Sequence, residues 1–254
     1  MPSLRVLGSC GAWPEPGRAC AGFLLEYDGF QILLDLGYAA LPRLLTYVPD
    51  GGVDAVLVTH RHPDHCVDLS GLARVRQDLA PDGDPLPLYC EPGVVDVLRA
   101  LEPRPDPATV FDVHDLAPGE IGPFRLDTAP TPHHVPNHAV RLEAPGLTVV
   151  YTGDSGPLTR ADDPERLVEL ARDADLFVAD GTLQDAPPVR EGLVMTVAEA
   201  GTWAARSGVR ALLLTHFWPF SDRRGSVERA KAVFGGEVLA AEEDLLVEMS
   251  KSEI

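Results

Sequence analysis

A short apolar strand that runs directly into a cluster of histidines is the feature that most restricts the fold of this chain. Residues Ala55–Val58 form a continuous apolar run, which is typical of a strand buried on both faces. Four side chains of metal-ligand type follow within six residues: His60, His62, Asp64 and His65. His60 and His62 are two apart on an extended segment and therefore point to the same side. A turn then brings the other two ligands round from another direction, so one loop can serve two ions, with zinc, iron and manganese suited to these donors.

Hydrophobic periodicity predicts alternating strands and helices along the chain. Strands are expected at residues 4–7, 22–27, 31–35, 55–58, 86–90, 124–129, 139–142, 147–151, 176–179, 211–214 and 245–249. Helices are expected at residues 39–47, 69–79, 93–101, 164–172, 197–207 and 227–234. Thr196 is placed to cap one of these helices, with Glu199 completing a capping box. The mixture indicates an α/β protein of layered sheets with helices outside, and no linker or repeat divides the expected single domain over residues 1–254.

Charge and composition narrow the class of partner. The formal net charge is −18 and no basic run is longer than Arg223-Arg224, which favours a small substrate over a long polyanion. No apolar run is long enough to span a bilayer, and the first residues lack the pattern of a secretory signal. None of the four cysteines lies in a C-x-x-C pair, which is typical of reduced thiols. We therefore expect a cytoplasmic protein without membrane contact.

Three later segments accompany the histidine loop, residues 60–65. In chain order they are residues 131–141, with the sequence TPHHVPNHAVR, Tyr151-Thr152-Gly153-Asp154, and Leu214-Thr215-His216. Each lies at or just after the end of an expected strand. Together with the histidine loop they resemble the metallo-β-lactamase superfamily, whose signature is H-x-H-x-D-H, and the resemblance covers nearly the whole chain. It implies a four-layer αβ/βα sandwich that holds metal ions at one edge of the sheets.

The resemblance also implies which residues bind metal. One ion would be bound by His60, His62 and a third histidine. The other would be bound by Asp64, His65 and His216, and Asp154 would bridge the two ions. In ribonuclease Z-like members the third histidine stands eight residues before an arginine, here Arg141, and this spacing selects His133. His134 and His138 would then be substrate or supporting contacts, or plain surface histidines.

The aspartate at position 154 separates branches of the superfamily. True β-lactamases of this fold lack it, whereas it is shared with the ribonuclease Z, cyclic-nucleotide phosphodiesterase and glyoxalase II branches. Residues 6–12 and 32–37 also resemble segments of the ribonuclease Z-like group. Within the second segment, Asp35 would orient a metal-site histidine or a loop, or simply end a strand. Asp68 would hydrogen-bond a ligand, and His114 is expected in a solvated loop.

Two departures from ribonuclease Z affect proton transfer. The family's H-S-T and E-A-T segments read Val194-Met195-Thr196 and Asp180-Gly181-Thr182 here, so a histidine is missing and a glutamate is shortened. The long basic arm that grips tRNA is also absent, which together with the acidic charge argues against tRNA as substrate. Protonation of the leaving group would fall to His134, His138 or Asp180, or to metal-bound water.

The leading hypothesis is a dinuclear phosphodiesterase for a small nucleotide or cyclic nucleotide, with attack by a hydroxide that bridges two divalent ions. Zinc is the first expectation for the ions and manganese the second. The catalytic candidates are Asp64, Asp180, His134 and His138. Arg223 or Arg224 would offset phosphate charge, or would face solvent. A lactone or thioester hydrolase on the same metal core and a metal-containing binding protein without turnover stay open, and a homodimer is expected by analogy alone.

Overall fold

The first of two sheets contains the strand that leads into the histidine loop. The computed structural model describes residues 1–185 and 193–250. The strands of this sheet are β1 (Ser3–Gly8), β2 (Gly22–Tyr27), β3 (Phe30–Leu36), β4 (Ala55–Val58), β5 (Leu86–Cys90), β6 (Phe111–Asp115) and β14 (Leu246–Glu248). They lie in the order β14-β1-β2-β3-β4-β5-β6, antiparallel from β14 to β3 and parallel from β3 to β6. Because β3 and β4 run parallel, their carboxyl ends meet at one edge of the sheet.

Helices pack on this sheet through apolar stripes. They are α1 (Leu41–Tyr47), α2 (Pro63–Cys66), α3 (Leu69–Leu79), α4 (Pro92–Leu101) and α5 (Pro107–Val110). The buried residues of α3 are Leu69, Leu72 and Ala73, a spacing of three and four that puts them on one face. They share a buried cluster with Leu33 and Val56 of the sheet. Burial of this cluster holds the histidine loop between a fixed strand and a fixed helix.

The second sheet, like the first, has an antiparallel part and a parallel part, and along the chain its antiparallel strands come first and its parallel strands follow. Its strands are β7 (Gly119–Ile121), β8 (Phe124–Pro130), β9 (His138–Ala144), β10 (Leu147–Tyr151), β11 (Leu176–Asp180), β12 (Ala211–Thr215) and β13 (Glu237–Ala240). They lie in the order β13-β12-β11-β10-β9-β8-β7, with β10 to β13 parallel and the others antiparallel. Three parallel strands, β10, β11 and β12, therefore end at a common edge, just before Asp154, Gly181 and His216.

The second sheet packs against α6 (Pro164–Leu170), α7 (Val197–Ser207) and α8 (Arg223–Phe234), and a short 3-10 turn covers Leu158–Arg160. Trp203 of α7 is fully buried and meets Phe177 edge to face, with ring centroids 5.2 Å apart. The predicted capping box of α7 is confirmed, because the Glu199 backbone N–H donates to the Thr196 hydroxyl oxygen and the Thr196 backbone N–H donates to the Glu199 carboxylate.

Several elements differ from the sequence prediction. Strands β6, β7 and β13 and helices α2 and α5 were not expected. His114 lies on the edge strand β6 rather than in a loop, with its ring stacked on Tyr89 at 4.9 Å and its Nε2 3.0 Å from Asp112. The expected ligand contact of Asp68 is also wrong, because its Oδ2 accepts the Leu41 N–H at the start of α1 at 2.9 Å.

Backbone contacts divide the described chain into two units. The first consists of Met1–Leu116 with Glu242–Glu248, and the second of the described part of Ala117–Ala241 with residues 249 and 250. The expectation of a single domain stays a prediction. All four cysteines are free, in agreement with the expected reduced thiols, and all four are buried. Among the described residues, no helix combines the length and apolarity needed to cross a bilayer.

Candidate metal centre

In the first unit, the histidine loop places a ring nitrogen of His60 close to a ring nitrogen of His62. The chain leaves β4 in an extended conformation, which places His60 and His62 on one side until α2 begins at Pro63. The Nε2 atom of His60 lies 3.0 Å from Nδ1 of His62, which bears out the expected orientation. The Thr59 hydroxyl lies 3.1 Å from Nδ1 of His60 and helps to orient that ring.

The first turn of α2 provides a carboxylate and a third ring in the same unit. Asp64 Oδ2 accepts the backbone N–H of Ala12 at 2.7 Å and lies 3.6 Å from Nε2 of His65. On its other side, the His65 ring has Nδ1 2.7 Å from Asp35 Oδ2. An imidazole that donates Nδ1–H to a carboxylate presents the lone pair of Nε2 to a cation. His65 is therefore oriented as a metal ligand.

Asp35 is the supporting carboxylate behind His65. It is fully buried at the end of β3, and it also accepts the backbone N–H and the hydroxyl of Thr59 at 2.8 and 2.9 Å. Its backbone adopts the left-handed region with φ +54°. Through these contacts one carboxylate fixes both the ring of His65 and the start of the histidine loop.

Asp35→Asn is expected to lower the affinity for zinc by roughly 10–100-fold, the usual cost of losing a partner behind a ligand histidine. The amide lacks the charge that holds the Nδ1–H and orients Nε2. Competition with a chromophoric zinc chelator measures the affinity. Asp54→Asn is the matched control, since Asp54 Oδ2 also accepts a backbone N–H of this unit, from Gln31 at 2.7 Å. Equal affinities for Asp35→Asn and the unaltered protein would contradict the assignment.

In the second unit, Asp154 faces a different histidine with each of its oxygens. Oδ1 lies 3.0 Å from Nε2 of His216, and Oδ2 lies 3.4 Å from Nε2 of His133. Both rings are held through the opposite nitrogen: Nδ1 of His133 is 2.9 Å from the Leu193 carbonyl, and Nδ1 of His216 is 2.8 Å from the Thr182 hydroxyl. Both Nε2 atoms therefore point at one carboxylate, as expected of a ligand that bridges two ions.

Asp180 lies on the Nδ1 side of the His216 ring, not on the Nε2 side that faces Asp154. It is fully buried, it accepts the backbone N–H and hydroxyl of Thr182 at 2.8 and 2.5 Å, and it accepts the Ser155 N–H at 3.1 Å. Burial raises the pKa of the Asp180 carboxyl, and the charge of His216 opposes that rise. Its contacts favour a positioning role, so leaving-group protonation by Asp180 stays a prediction.

The other two histidines of the second unit differ in their exposure to solvent. His134 is exposed, with its ring centroid 5.2 Å from that of His133, and His138 is half-buried where β9 begins opposite Pro130. His134 has the accessibility that contact with a substrate requires, whereas Nδ1 of His138 is buried. Arg223, in contrast, is buried and points inward, over the ring of Phe217 and onto the Ala241 carbonyl, whereas Arg224 is exposed.

Asn137 is a supporting residue that the sequence interpretation did not identify. Its buried Nδ2 lies 2.6 Å from the Asp154 carbonyl, 3.0 Å from the Thr152 carbonyl and 2.5 Å from the Thr131 hydroxyl. The amide thereby ties the loop that carries His133 to the loop that carries Asp154. The only sequence signal was an asparagine in a ligand-bearing loop just before a strand.

These donors fit divalent metal ions. Within the first unit the ligand atoms of His60 and His62, and those of Asp64 and His65, lie within 4.8 Å of each other. Within the second unit the same holds for His133 with Asp154 and for Asp154 with His216. Imidazole nitrogens whose second nitrogen is held, together with carboxylate oxygens, are the donor set of zinc and manganese sites.

Comparison with known proteins identifies the family of this chain. A family model described as a β-lactamase superfamily domain matches residues 31–217. YhfI of Bacillus subtilis strain 168, described as a probable metallo-hydrolase, is 30% identical over 92% of this chain and 95% of its own length. Ribonuclease Z of Haloferax volcanii is 29% identical, covering 96% of this chain and 93% of that protein.

Solved structures show the same fold. The crystal structure of YhfI matches with a TM-score of 0.85 at 29% identity and covers 97% of this chain and 99% of that one. The short form of human tRNase Z matches in fold with a TM-score of 0.79 at 22% identity, over 98% and 99% of the two chains. Both sheets with their flanking helices have their counterparts in these proteins, as predicted for the metallo-β-lactamase fold. The chain therefore belongs to the β-lactamase superfamily, among its metal-dependent hydrolases with ribonuclease Z-like relatives.

Proposed function

We propose that this protein is a dinuclear metal-dependent phosphodiesterase that acts on a small nucleotide or cyclic nucleotide. The observation that carries the proposal is Asp154, whose two oxygens face the Nε2 atoms of two different histidines. A carboxylate in this arrangement suits a bridge between two ions. Two neighbouring ions supply a nucleophile derived from water at neutral pH and offset the charge of an in-line phosphoryl displacement.

The proposed ligand sets follow the family pattern. One ion would be held by His60, His62 and His133, the other by Asp64, His65 and His216, with Asp154 shared. Zinc is the first choice for both ions and manganese the alternative, because these ligands serve either. The chain's supporting residues keep the rings oriented, Asp35 behind His65 and Thr182 behind His216.

Proton transfer to the leaving group is assigned to the accessible histidines. An alkoxide leaving group needs a proton donor within hydrogen-bond reach. His134 is exposed and His138 half-buried, whereas Asp180 is fully buried behind Thr182. We therefore place His134 and His138 ahead of Asp180 for this role.

A small substrate is preferred over tRNA. Relatives named ribonuclease Z are similar along most of the chain, yet the net charge here is −18. Binding of a long nucleic acid depends on many phosphate contacts from lysine and arginine. A compact diester needs only the metal centre to offset its charge. A homodimer remains part of the proposal by analogy alone.

His60→Ala is expected to lower hydrolysis of bis(p-nitrophenyl) phosphate by zinc- or manganese-loaded protein at least about 100-fold, more than loss of a supporting residue costs. The reason is the loss of one of the two facing nitrogens in the first unit. Initial rates of p-nitrophenolate release measure the effect. His114→Ala is the matched control, a histidine on an edge strand away from the ligand loops.

The same assay separates the alternatives when p-nitrophenyl acetate is tested in parallel. Metal-dependent turnover of the acetate alone would replace the phosphodiesterase proposal with acyl hydrolysis. Silence on both esters and on a panel of nucleotide diesters, with two ions bound, would indicate a binding protein without turnover.

A further inference from the structure

Exposed aromatic side chains are confined to the loops that carry or contact the proposed ligands. The four are Trp13, Tyr38, Trp218 and Phe220, with 49%, 36%, 47% and 82% of their surface exposed. Every other tryptophan, tyrosine and phenylalanine of the chain is buried or half-buried. Isolated apolar residues at a surface are ordinary, but this restriction of all exposed rings to ligand loops points to contact with a substrate.

In the first unit, Trp13 stands on a loop fixed to Asp64. The residue before it, Ala12, donates its N–H to Asp64 Oδ2 at 2.7 Å in a left-handed conformation with φ +62°. The Trp13 N–H itself donates to the Gly11 carbonyl at 2.8 Å. The indole is therefore exposed on a backbone that is anchored to a proposed ligand.

Tyr38 stands on a second loop, which packs on the same aspartate through Gly37. The residue before it, Gly37, packs so closely on the backbone of Asp64 that an added Cβ would lie 1.8 Å from the Asp64 carbonyl oxygen. The Tyr38 carbonyl accepts the Cys20 N–H at 2.9 Å, which anchors this loop as well.

We propose that Trp13 and Tyr38 form a stacking face for the nucleobase of the substrate, beside the phosphate that the metal centre binds. This inference rests on the proposed phosphodiesterase function and specifies its substrate as a base-bearing diester. Each base stacked on an aromatic side chain gains affinity without sequence-specific hydrogen bonds. For a chain with net charge −18, ring stacking supplies affinity that surface cations do not.

In the second unit, exposed aromatic residues also lie close in sequence to a proposed ligand. Trp218 and Phe220 lie shortly after His216, beyond the buried Phe217. Their turn is closed by the Ser221 N–H and hydroxyl, which both donate to the Trp218 carbonyl at 3.1 and 2.5 Å. Here too the exposed rings stand on a short anchored loop next to a proposed ligand. This is independent support for recognition of a planar group.

The test compares two diesters with the same leaving group, thymidine 5′-(p-nitrophenyl phosphate) and methyl p-nitrophenyl phosphate. The measured quantity is the ratio of their kcat/KM values. Trp13→Ala and Tyr38→Ala are each expected to lower this ratio roughly 5–100-fold, through KM for the thymidine ester, as loss of one stacked base would do. Trp13→Phe should restore most of the ratio. Leu79→Ala, an exposed apolar residue of the same unit outside these loops, should leave it unchanged.

An unchanged ratio in both alanine variants, or an equal loss on the two esters, would overturn the stacking face. If the unaltered protein hydrolyses no diester, the proposed function fails, and binding then decides the inference separately. Calorimetry with adenosine 5′-monophosphate and with ribose 5-phosphate is the measurement. Selective loss of the adenosine compound in Trp13→Ala supports the stacking face, and identical binding by variant and unaltered protein refutes it.

Discussion

Asp154→Ala is expected to remove the metal-dependent activity and to reduce the number of tightly bound ions below two per chain. Both oxygens of Asp154 face ligand nitrogens, so one substitution weakens both proposed ion sites. The loss in rate should reach at least about 100-fold, since even supporting residues behind a ligand cost 10–100-fold. Metal analysis after gel filtration and rates on bis(p-nitrophenyl) phosphate measure the two effects.

The fold should survive this substitution. Asn137 and the Thr131 hydroxyl bond to the backbone carbonyl of Asp154, at 2.6 and 3.1 Å, and an alanine retains that carbonyl. The rise in Tm on zinc addition should therefore shrink while the metal-free Tm changes little, because an ion that binds only the folded state stabilises it. Asp127→Ala removes a carboxylate bonded to Arg166 at 2.5 Å and is the control. Two tightly bound ions in Asp154→Ala would disprove the bridge.

Gly37→Ala is expected to disturb the candidate ligands of the first unit, although Gly37 itself has no side chain. Its added Cβ would meet the Asp64 carbonyl oxygen at 1.8 Å and the Asp64 carbonyl carbon at 2.4 Å. Backbone cannot rotate aside as a flexible side chain would, so the histidine loop must shift. Overpacking of this kind costs about 1–3 kcal/mol or more in the free energy of unfolding. We expect a lower midpoint in urea and weakened zinc binding.

Gly119→Ala controls for the substitution itself, because the nearest atom to its added Cβ would be 3.9 Å away, an ordinary contact. Urea unfolding followed by circular dichroism gives the free energy of unfolding, and chelator competition gives the zinc affinity. If Gly37→Ala left both the free energy of unfolding and the zinc affinity unchanged, the close approach of Gly37 to Asp64 would not matter for either.

The sequence predicts most of the buried framework because periodicity reports burial directly. Strand β4, with four apolar residues, and helices α3 and α7 have the bounds that their patterns predict. The missed elements are short or lie at edges. Strand β6 reads Phe-Asp-Val-His-Asp, and aspartates are poor strand formers. It forms because β5 offers an open row of backbone groups, which only the assembled sheet provides.

For the candidate centre, too, the sequence predicts some features and the tertiary structure decides the others. Candidate ligands in the histidine loop follow from residue identity and local spacing, and the close ring nitrogens of His60 and His62 bear out the predicted orientation of these two side chains. The partners behind the ligands are set by the tertiary structure: Asp35 meets His65 from 30 residues away, and Thr182 meets His216 from 34. The family resemblance offered the role for Asp35 as one of several interpretations, but no local pattern encodes such contacts, since they depend on which strand ends share an edge of a sheet. Sequence alone determined which side chains could bind metal, and the tertiary structure decided which nitrogen of each ring is held and which is presented.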